Sequence, residues 1–374
     1  MRSLEIGIDA SRMAVAARTG TEHYTFELLG ALAQIDRSTR YTLYCNQMPA
    51  ALPALGANFA LRQIPLARLW THARLSADVL ARPPDLLFVP AHVIPLGAPL
   101  QRRTRTVVTI HDLGYLHFPE AHTRAHRLYL RLSTAWSARV AHRVIAVSAA
   151  TRADLVRYTG VAPEKISVIH HGVAAHFAPV ASQPMIAAVQ ARYAIDRPYF
   201  LFVGTVQPRK NLERVIAAFA ALAVSQQLLL VIAGKKGWLT AAIERRAQEL
   251  GVADRVRFVG YLPDADLPPL LSGALGFVFP SLYEGFGMPV LEAMACGTPV
   301  LTSTTSSLPE VAGDAALLVD PRDTSAIADG LRRLASEPQL RAELGAQGRA
   351  RAARFTWRAC AEATLRVLRQ AADD

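Results

Sequence analysis

Short apolar runs alternate with longer stretches whose apolar residues recur at helical spacing, and the alternation persists along most of the chain. In the first half it predicts strands at 4–9, 41–45, 85–89, 106–110 and 144–147, with a helix near 24–33. In the second half it predicts strands at 199–204, 228–233, 257–260, 276–280, 299–302 and 315–319. Strands this uniformly apolar are buried on both faces, which is the mark of a parallel sheet covered by helices. The pattern loosens over the Pro-bearing stretch 178–184, which reads as a domain boundary. The expectation is an α/β protein of two doubly wound, Rossmann-like domains, the first over 1–178 and the second over 185–355. Such sheets bind ligands at the carboxyl ends of their strands, so the expected site is the cleft between the two domains. No repeat of solenoid period and no low-complexity tract interrupts this reading.

Composition fits two cores: the chain has 374 residues, 51% hydrophobic and 19% charged. Cys45, Cys296 and Cys360 have neither metal nor redox spacing and read as reduced, buried thiols in a cytoplasmic setting. The chain opens directly as a strand, without the apolar run and cleavage site of a signal peptide, and apolar runs such as 228–233 fall short of the roughly twenty residues that cross a bilayer. The expected location is therefore cytoplasmic, with any membrane contact peripheral, at the inner face. A net charge of +11 attracts anions, unless it reflects only an Arg-rich and Ala-rich background. Zinc spacings, a basic zipper region and an aromatic RNA-binding signature are all lacking, so nucleic acid is not an expected partner. On the stretch 123–143, Arg124, Arg127 and Arg131 share one helical face, with Leu128, Leu132 and Trp136 elsewhere, giving either a solvated face or a surface that rests on anionic lipid.

The stretch richest in candidate chemistry is 281–299, in which a buried strand runs through a glycine loop into a helix with Pro289 at its first turn and Gly297 as its stop. Gly285 and Gly287 let a ligand approach the backbone, and the opening helix amides favour an anion. Glu284 lies on the loop and Glu292 on the first helical turns. A carboxylate accepts two hydrogen bonds side by side, so each could hold a vicinal diol, against the plainer reading of one solvated residue and one that favours the helix dipole. Arg209 and Lys210 precede a helix that Asn211 is placed to cap, and two cations at a positive helix end are best explained by a shared phosphate, or else are solvated. In the first half, Gly20 follows Thr19 and opens a helix through Thr21, Glu22, His23 and Tyr24. His111 and Asp112 end the strand 106–110, where a His could move protons near neutral pH or the pair could cap the loop. His170 and His171, ahead of Gly172, read as structural or hinge residues. Asp264-Ala-Asp266 lies in a Pro-rich turn and reads as helix initiation rather than a metal site, so no metal is expected.

The run Glu284-Gly-Phe-Gly-Met-Pro-Val-Leu-Glu292 resembles the E-x-F-G-x-x-x-x-E signature of the retaining, nucleotide-sugar-dependent glycosyltransferases of family 4, or group 1. The G-x-x-x-x-R-K-N run ending at Asn211 resembles that family's diphosphate-binding segment. The resemblance implies a GT-B-like fold whose last helix, 356–374, crosses back to the first domain, the acceptor side. By it, Glu284 holds donor hexose hydroxyls, the backbone of Gly285, Phe286, Gly287 and Met288 lines the sugar, Glu292 binds the ribose, and Arg209 and Lys210 meet the departing diphosphate without a metal or other cofactor. Gly20 lies near the diphosphate, His111 lies beside the anomeric carbon, and Asp112 orients it or meets the acceptor. The implied function is retaining transfer of a hexose, taken as mannose, from a nucleoside diphosphate sugar to a glycan or lipid-linked acceptor in cell-surface polysaccharide or lipopolysaccharide biosynthesis. An epimerase or phosphorylase on the same architecture, and a catalytically silent sugar-nucleotide-binding partner subunit, are the alternatives.

Overall fold

The computed structural model describes residues 3–14, 20–66, 68–121, 123–222, 227–237 and 240–374; Thr19 of the first glycine loop lies outside them. The chain divides into two compact units, Met1–Gly172 with Phe355–Asp374, and Val173–Arg354. The crossover between them falls at Gly172–Val173, ahead of the loose stretch 178–184, which lies within the second unit.

The first unit holds β1 (Glu5–Asp9), β2 (Arg40–Cys45), β3 (Phe59–Gln63), β4 (Leu86–Val89), β5 (Arg105–Ile110), β6 (Arg143–Ala146) and β7 (Ile166–Val168). They form one parallel sheet in the order β3-β2-β1-β4-β5-β6-β7. Hydrophobic periodicity finds the inner strands and misses β3 and β7. Both are edge strands with partly exposed residues, so selection for an unbroken apolar run is relaxed there. The second unit holds β8 (Tyr199–Val203), β9 (Leu229–Ala233), β10 (Val256–Gly260), β11 (Gly276–Phe279), β12 (Val300–Ser303) and β13 (Leu317–Val319), parallel in the order β10-β9-β8-β11-β12-β13. Every residue of β4 and of β11 is buried, as strands at the centre of a doubly covered sheet must be.

Both sheets reverse direction of growth once, between β1 and β4 in the first unit and between β8 and β11 in the second. At such a switch point the loops leaving neighbouring strands diverge to opposite faces and leave a crevice at the carboxyl ends.

The C-terminal helix Trp357–Asp373 belongs to the first unit, where it packs on the helix Gly20–Ile35 and against β4, β5 and β6. Thr356 caps it by accepting from the Ala359 N–H at 3.1 Å. Its inward face carries Trp357, Cys360, Ala361, Thr364, Leu365 and Leu368, while the facing helix buries Tyr24, Leu28, Leu29 and Leu32 completely. Each of the latter leucines contributes about 1.5–3 kcal/mol of burial free energy. The three cysteines are all buried and unpaired with one another.

Gly172 is where the chain leaves this unit, and a Cβ there would meet the Trp357 backbone nitrogen at 2.1 Å and the Thr356 carbonyl carbon at 2.5 Å. Both obstacles are backbone at the start of a capped helix and cannot swing away. Gly172→Ala is therefore expected to destabilise the protein by about 2 kcal/mol or more, read as a lower midpoint in thermal or denaturant unfolding; an unchanged midpoint would show that this junction is loosely packed.

Candidate active site

Strands β8 and β11 are hydrogen-bonded neighbours, with Phe200 opposite Gly276 and Leu201 opposite Phe277, so the loops that leave their carboxyl ends emerge side by side. The first loop brings Arg209 and Lys210; the second brings Glu284. Glu284 accepts from Arg209 Nη1 at 2.8 Å through one oxygen and from Lys210 Nζ at 2.6 Å through the other. Lys210 Nζ also lies 4.6 Å from the centroid of the Phe279 ring, and Arg209 Nη1 donates to the Tyr283 carbonyl at 2.8 Å. Burial would raise the Glu284 carboxyl, but the two cations and their hydrogen bonds outweigh it and hold the pKa down to about 2. The trio carries one surplus positive charge in a buried setting, which suits it to an anion.

The loop around Glu284 is fastened from below. Ser306 Oγ accepts from the Glu284 N–H at 2.9 Å, and Ser307 Oγ donates to the carbonyls of Glu284 at 2.9 Å and Phe286 at 2.8 Å. Gly287 then opens the helix Met288–Ala295 with φ of 108°, a conformation reserved for glycine, and a Cβ there would lie 2.7 Å from the Leu308 side chain. Gly285, Phe286, Gly287 and Met288 thus form a short, rigid backbone turn between Glu284 and the helix. Glu292 lies on that helix, and among the described residues no donor reaches its carboxylate. It keeps an opening to solvent but sits in a poorly hydrated recess, so burial, aided by the Asp264 carboxylate, raises its pKa to about 8.

Two sequence expectations are corrected here. Asn211 precedes the helix Leu212–Ala220 but does not cap it: its φ is 65°, and its side-chain amide donates to the carbonyls of Pro280 at 3.0 Å and Pro321 at 2.6 Å. It ties the Arg209–Lys210 loop to the strand that carries Glu284. Asp266 does not initiate a helix through its side chain either; its carboxylate pairs with Arg192 at 2.7 Å and accepts from the Tyr193 hydroxyl at 2.6 Å.

In the first unit, His111 follows β5 and is 7% exposed. Its Nε2 lies 2.7 Å from the Pro90 carbonyl, which can only accept, so this nitrogen carries the proton. The ring stands edge-on to Tyr24 at 4.7 Å and 5.3 Å from the His92 ring. Burial, with help from His92, lowers its pKa to about 3. Burial thus favours the neutral ring of His111 at physiological pH. Asp112 accepts the Gly114 N–H at 2.9 Å and so caps its own loop. Gly20 is the exposed first residue of the helix Gly20–Ile35, and a Cβ there would touch nothing within 4 Å. The nearby Glu22 is buried, with Arg12 3.5 Å away. His171 stacks with Trp357 at 5.9 Å, a structural position. Sequence reading missed Asp9 and His92, which leave β1 and β4 at the switch point of this unit; their place at strand ends was the available signal.

Comparison with known proteins bears directly on this geometry. A family model described as glycosyl transferases group 1 matches residues 189–351, and one described as Glycosyltransferase Family 4 matches residues 18–177. Over 270 residues the chain is 33% identical to an O-antigen chain mannosyltransferase B from Escherichia coli, covering 71% of this chain and 70% of that one. The chain belongs to glycosyltransferase family 4. As a member of that family it is a hexosyltransferase, and its two parallel-sheet units are those of GT-B enzymes. It is also 32% identical over 222 residues to the serotype-specific mannosyltransferase WbdA from Escherichia coli, a match that covers 58% of this chain but 27% of that one. The family 4 fold seen here matches sucrose-phosphate synthase from Thermosynechococcus elongatus with a TM-score of 0.80 at 25% identity, covering 98% of each chain.

The Glu284 trio gives this glycosyltransferase an acid-sensitive element. A carboxyl whose folded pKa of about 2 lies below its ordinary 4.5 adds stability that is complete above the ordinary value and disappears as pH falls through the folded one. The wild type is expected to exceed Glu284→Gln in unfolding free energy by about 3 kcal/mol at pH 7, with the gap closing between pH 4.5 and 2. A gap independent of pH over that window would mean that the ion pairs do not hold the loop.

Proposed function

We propose that this family 4 enzyme transfers mannose, with retention, from a nucleoside diphosphate sugar to a glycan or lipid-linked acceptor in the building of cell-surface polysaccharide or lipopolysaccharide. The observation that carries the donor half is the cationic pair of the partly buried Arg209 and the buried Lys210, gathered on Glu284 at the switch point of the second sheet. In this reading the diphosphate takes the surplus charge of the trio, and Glu284, still paired with both cations, accepts from hydroxyls of a hexose whose anomeric carbon and ring oxygen develop positive charge in the transition state. Gly285, Phe286, Gly287 and Met288 line the sugar, Gly20 lies by the diphosphate, and Glu292 holds the ribose. Mannose is supported by the relatives named as mannosyltransferases.

The neutral His111 leaves proton transfer to the leaving group. The bond from the anomeric carbon to the phosphate oxygen breaks, the acceptor oxygen bonds that carbon on the same face, and its proton passes to the departing phosphate. His111, held by Pro90, then serves as a wall beside the anomeric carbon, while Asp112 faces the acceptor. We also propose that no metal is required, because two fixed cations answer the charge that develops on the diphosphate. Among the described residues, no group of three or more His, Cys, Asp or Glu is placed to hold a metal ion.

Incubating the protein with GDP-mannose and other nucleotide sugars, with and without glycan acceptors and in the presence of EDTA, tests these points together. Acceptor-dependent release of nucleoside diphosphate that EDTA leaves intact is expected; acceptor-independent interconversion would favour an epimerase, and no turnover a silent partner subunit. The ribose assignment has its own signature. An ionised Glu292 is the better acceptor for a diol, so nucleoside diphosphate affinity should rise as pH passes from 7 through about 8 in the wild type and stay flat in Glu292→Gln. Parallel profiles would remove Glu292 from the nucleotide.

The lipid-linked acceptor and peripheral contact with anionic membrane are supported by the helix Arg124–Val140. This helix turns its small residues Ser133, Thr134, Ser137 and Ala138 inward, leaving Leu128, Leu132 and Trp136 54%, 59% and 36% exposed. Arg124, Arg127 and Arg131 flank that apolar stripe, the arrangement of an interfacial helix. No helix among the described residues is long and apolar enough to cross a membrane. Replacing Leu128, Leu132 and Trp136 by Ser should abolish co-sedimentation with phosphatidylglycerol vesicles; equal sedimentation of variant and wild type would place the contact elsewhere.

A further inference from the structure

His111 sits in a box of rings that all belong to the first unit. Tyr24, fully buried on the helix Gly20–Ile35, stands edge-on to it at 4.7 Å, the His171 ring lies 5.5 Å away at 59°, and the His92 ring lies 5.3 Å away. One hydrogen bond, from Nε2–H to the Pro90 carbonyl at 2.7 Å, fixes one atom of the imidazole. Its tilt is set by the rings packed on it. Tyr24 is itself registered to β5, since its hydroxyl lies 3.2 Å from that of Thr109, on the strand that ends in His111.

Behind His111 the packing continues into a second layer. His171 is 4% exposed and lies between two larger rings, Tyr24 at 4.7 Å and Trp357 at 5.9 Å, the latter tilted from it by only 21°. Burial, with the neighbouring His111 and His170, holds its pKa well below the ordinary histidine value, so His171 packs as a flat neutral ring. Two features of the backbone bring Trp357 there. Gly172, next in the chain, carries no Cβ, and one would collide with the backbone of Thr356 and Trp357 at the start of the last helix. Thr356 caps that helix by accepting from the Ala359 N–H at 3.1 Å, which sets the direction in which Trp357 leaves it. The buried indole N–H finds no acceptor among the described residues, so within that set the ring is placed by packing. Trp357 thus reaches His111 by way of His171 and Tyr24, the latter 6.0 Å from it.

We propose that His171 and Trp357 are positioning residues for the transfer: their stack sets the tilt of the His111 ring, and with it the shape of the wall that His111 offers beside the anomeric carbon. The inference rests on the reading of His111 given above. A wall that tilts lets the reacting carbon and the acceptor oxygen drift out of bonding geometry, and a drift of about 1 Å costs about a hundredfold in rate. The nucleoside diphosphate is held apart from this effect, because Arg209, Lys210 and Glu292, its proposed contacts, lie in the second unit. The last helix then does more than pack on the first sheet: its first residue forms one side of the stack.

The test compares flat with branched replacements in the full chain. His171→Phe and Trp357→Phe keep a ring in the stack, whereas His171→Leu and Trp357→Leu fill space without one. Each is assayed well below its melting temperature for acceptor-dependent release of nucleoside diphosphate from GDP-mannose or whichever nucleotide sugar supports turnover, and for GDP and UDP affinity by calorimetry. The His111 tautomer is read by NMR of protein labelled with nitrogen-15 histidine, the signal being assigned with His111→Gln. In the wild type His111 should give a single form protonated at Nε2. Both leucine variants should lower kcat about tenfold or more, spare GDP and UDP affinity, and broaden or split the His111 signal. Both phenylalanine variants should keep kcat and the signal near those of the wild type. A role confined to stability would instead lower the melting temperature and leave kcat and the signal alone, which overturns the proposal. A lower kcat with an unaltered signal, an altered signal with an unaltered kcat, or a wild type in which His111 already exchanges between tautomers overturns it equally. Should one leucine variant fold poorly, the other decides, since each opens the stack at a different ring. The signal needs no turnover, so a wild type that releases no nucleoside diphosphate with any acceptor counts against the transferase reading while the signal still judges the stack.

Discussion

The second unit is organised around one electrostatic arrangement: a buried carboxylate shared between two cations. Burying any of these three charges alone costs several kcal/mol, so each is tolerated only with its partners in place. That requirement explains features that otherwise look unrelated. Asn211 adopts a left-handed backbone so that its amide can tie the cationic loop to the end of β11 and to Pro321. Ser306 and Ser307 hold both the N–H and the C=O of Glu284, fixing the carboxylate where Arg209 and Lys210 converge. Phe279 supplies a ring face to Lys210, a weakly polar surface that accepts a cation without a second negative charge.

Much of this was legible in the residues before any coordinates. Apolar runs mark eleven of the thirteen strands among the described residues: the nine inner ones, because a strand covered on both faces has no choice but to be apolar, and the edge strands β10 and β13. The two strands that periodicity misses are edges, where one flank is open. The glycine loop before 288 and the Arg-Lys pair pointed to an anion site, but spacing says nothing of which side chains meet. That Glu284 joins both cations follows only from the adjacency of β8 and β11, a long-range fact. Asn211 and Asp266 were misread for a common reason: short polar residues at helix starts usually cap, and here tertiary partners 69 and 74 positions away in the chain outcompete the local bond. His111 does end its strand, but spacing along the chain says nothing of Tyr24, His92 and His171, whose rings close over it.

The two units answer the same topological opportunity with opposite chemistry. Each places the loops of two adjacent strands around a crevice where the sheet reverses. In the second unit those loops carry a surplus cation and a glycine turn at a helix start. In the first, Asp9 ends β1 with Ser11 and Arg12 just beyond it, and the loop after β4 carries His92, whose pKa burial lowers. Since a doubly wound sheet dictates where a ligand can sit but not what it is, the distinction lies wholly in the residues after β1, β4, β8 and β11.

Under the proposed function, the charges of the trio also constrain how a diphosphate would meet it. A diphosphate brings two or more negative charges to a cluster with one surplus positive charge, so it has no need to expel Glu284 to find attraction. Expulsion would be costly: a Glu284 carboxylate stripped of Arg209 and Lys210 while still buried would lose the contacts that hold its pKa near 2, and the remaining effect of burial would drive it toward protonation. The arrangement that keeps every charge answered has the anion approach the cations from the open side while Glu284 keeps its place. In the proposed reading the carboxylate then stays ionised beside the sugar that the diphosphate carries, and accepts from its hydroxyls with the cost of desolvation already met by folding.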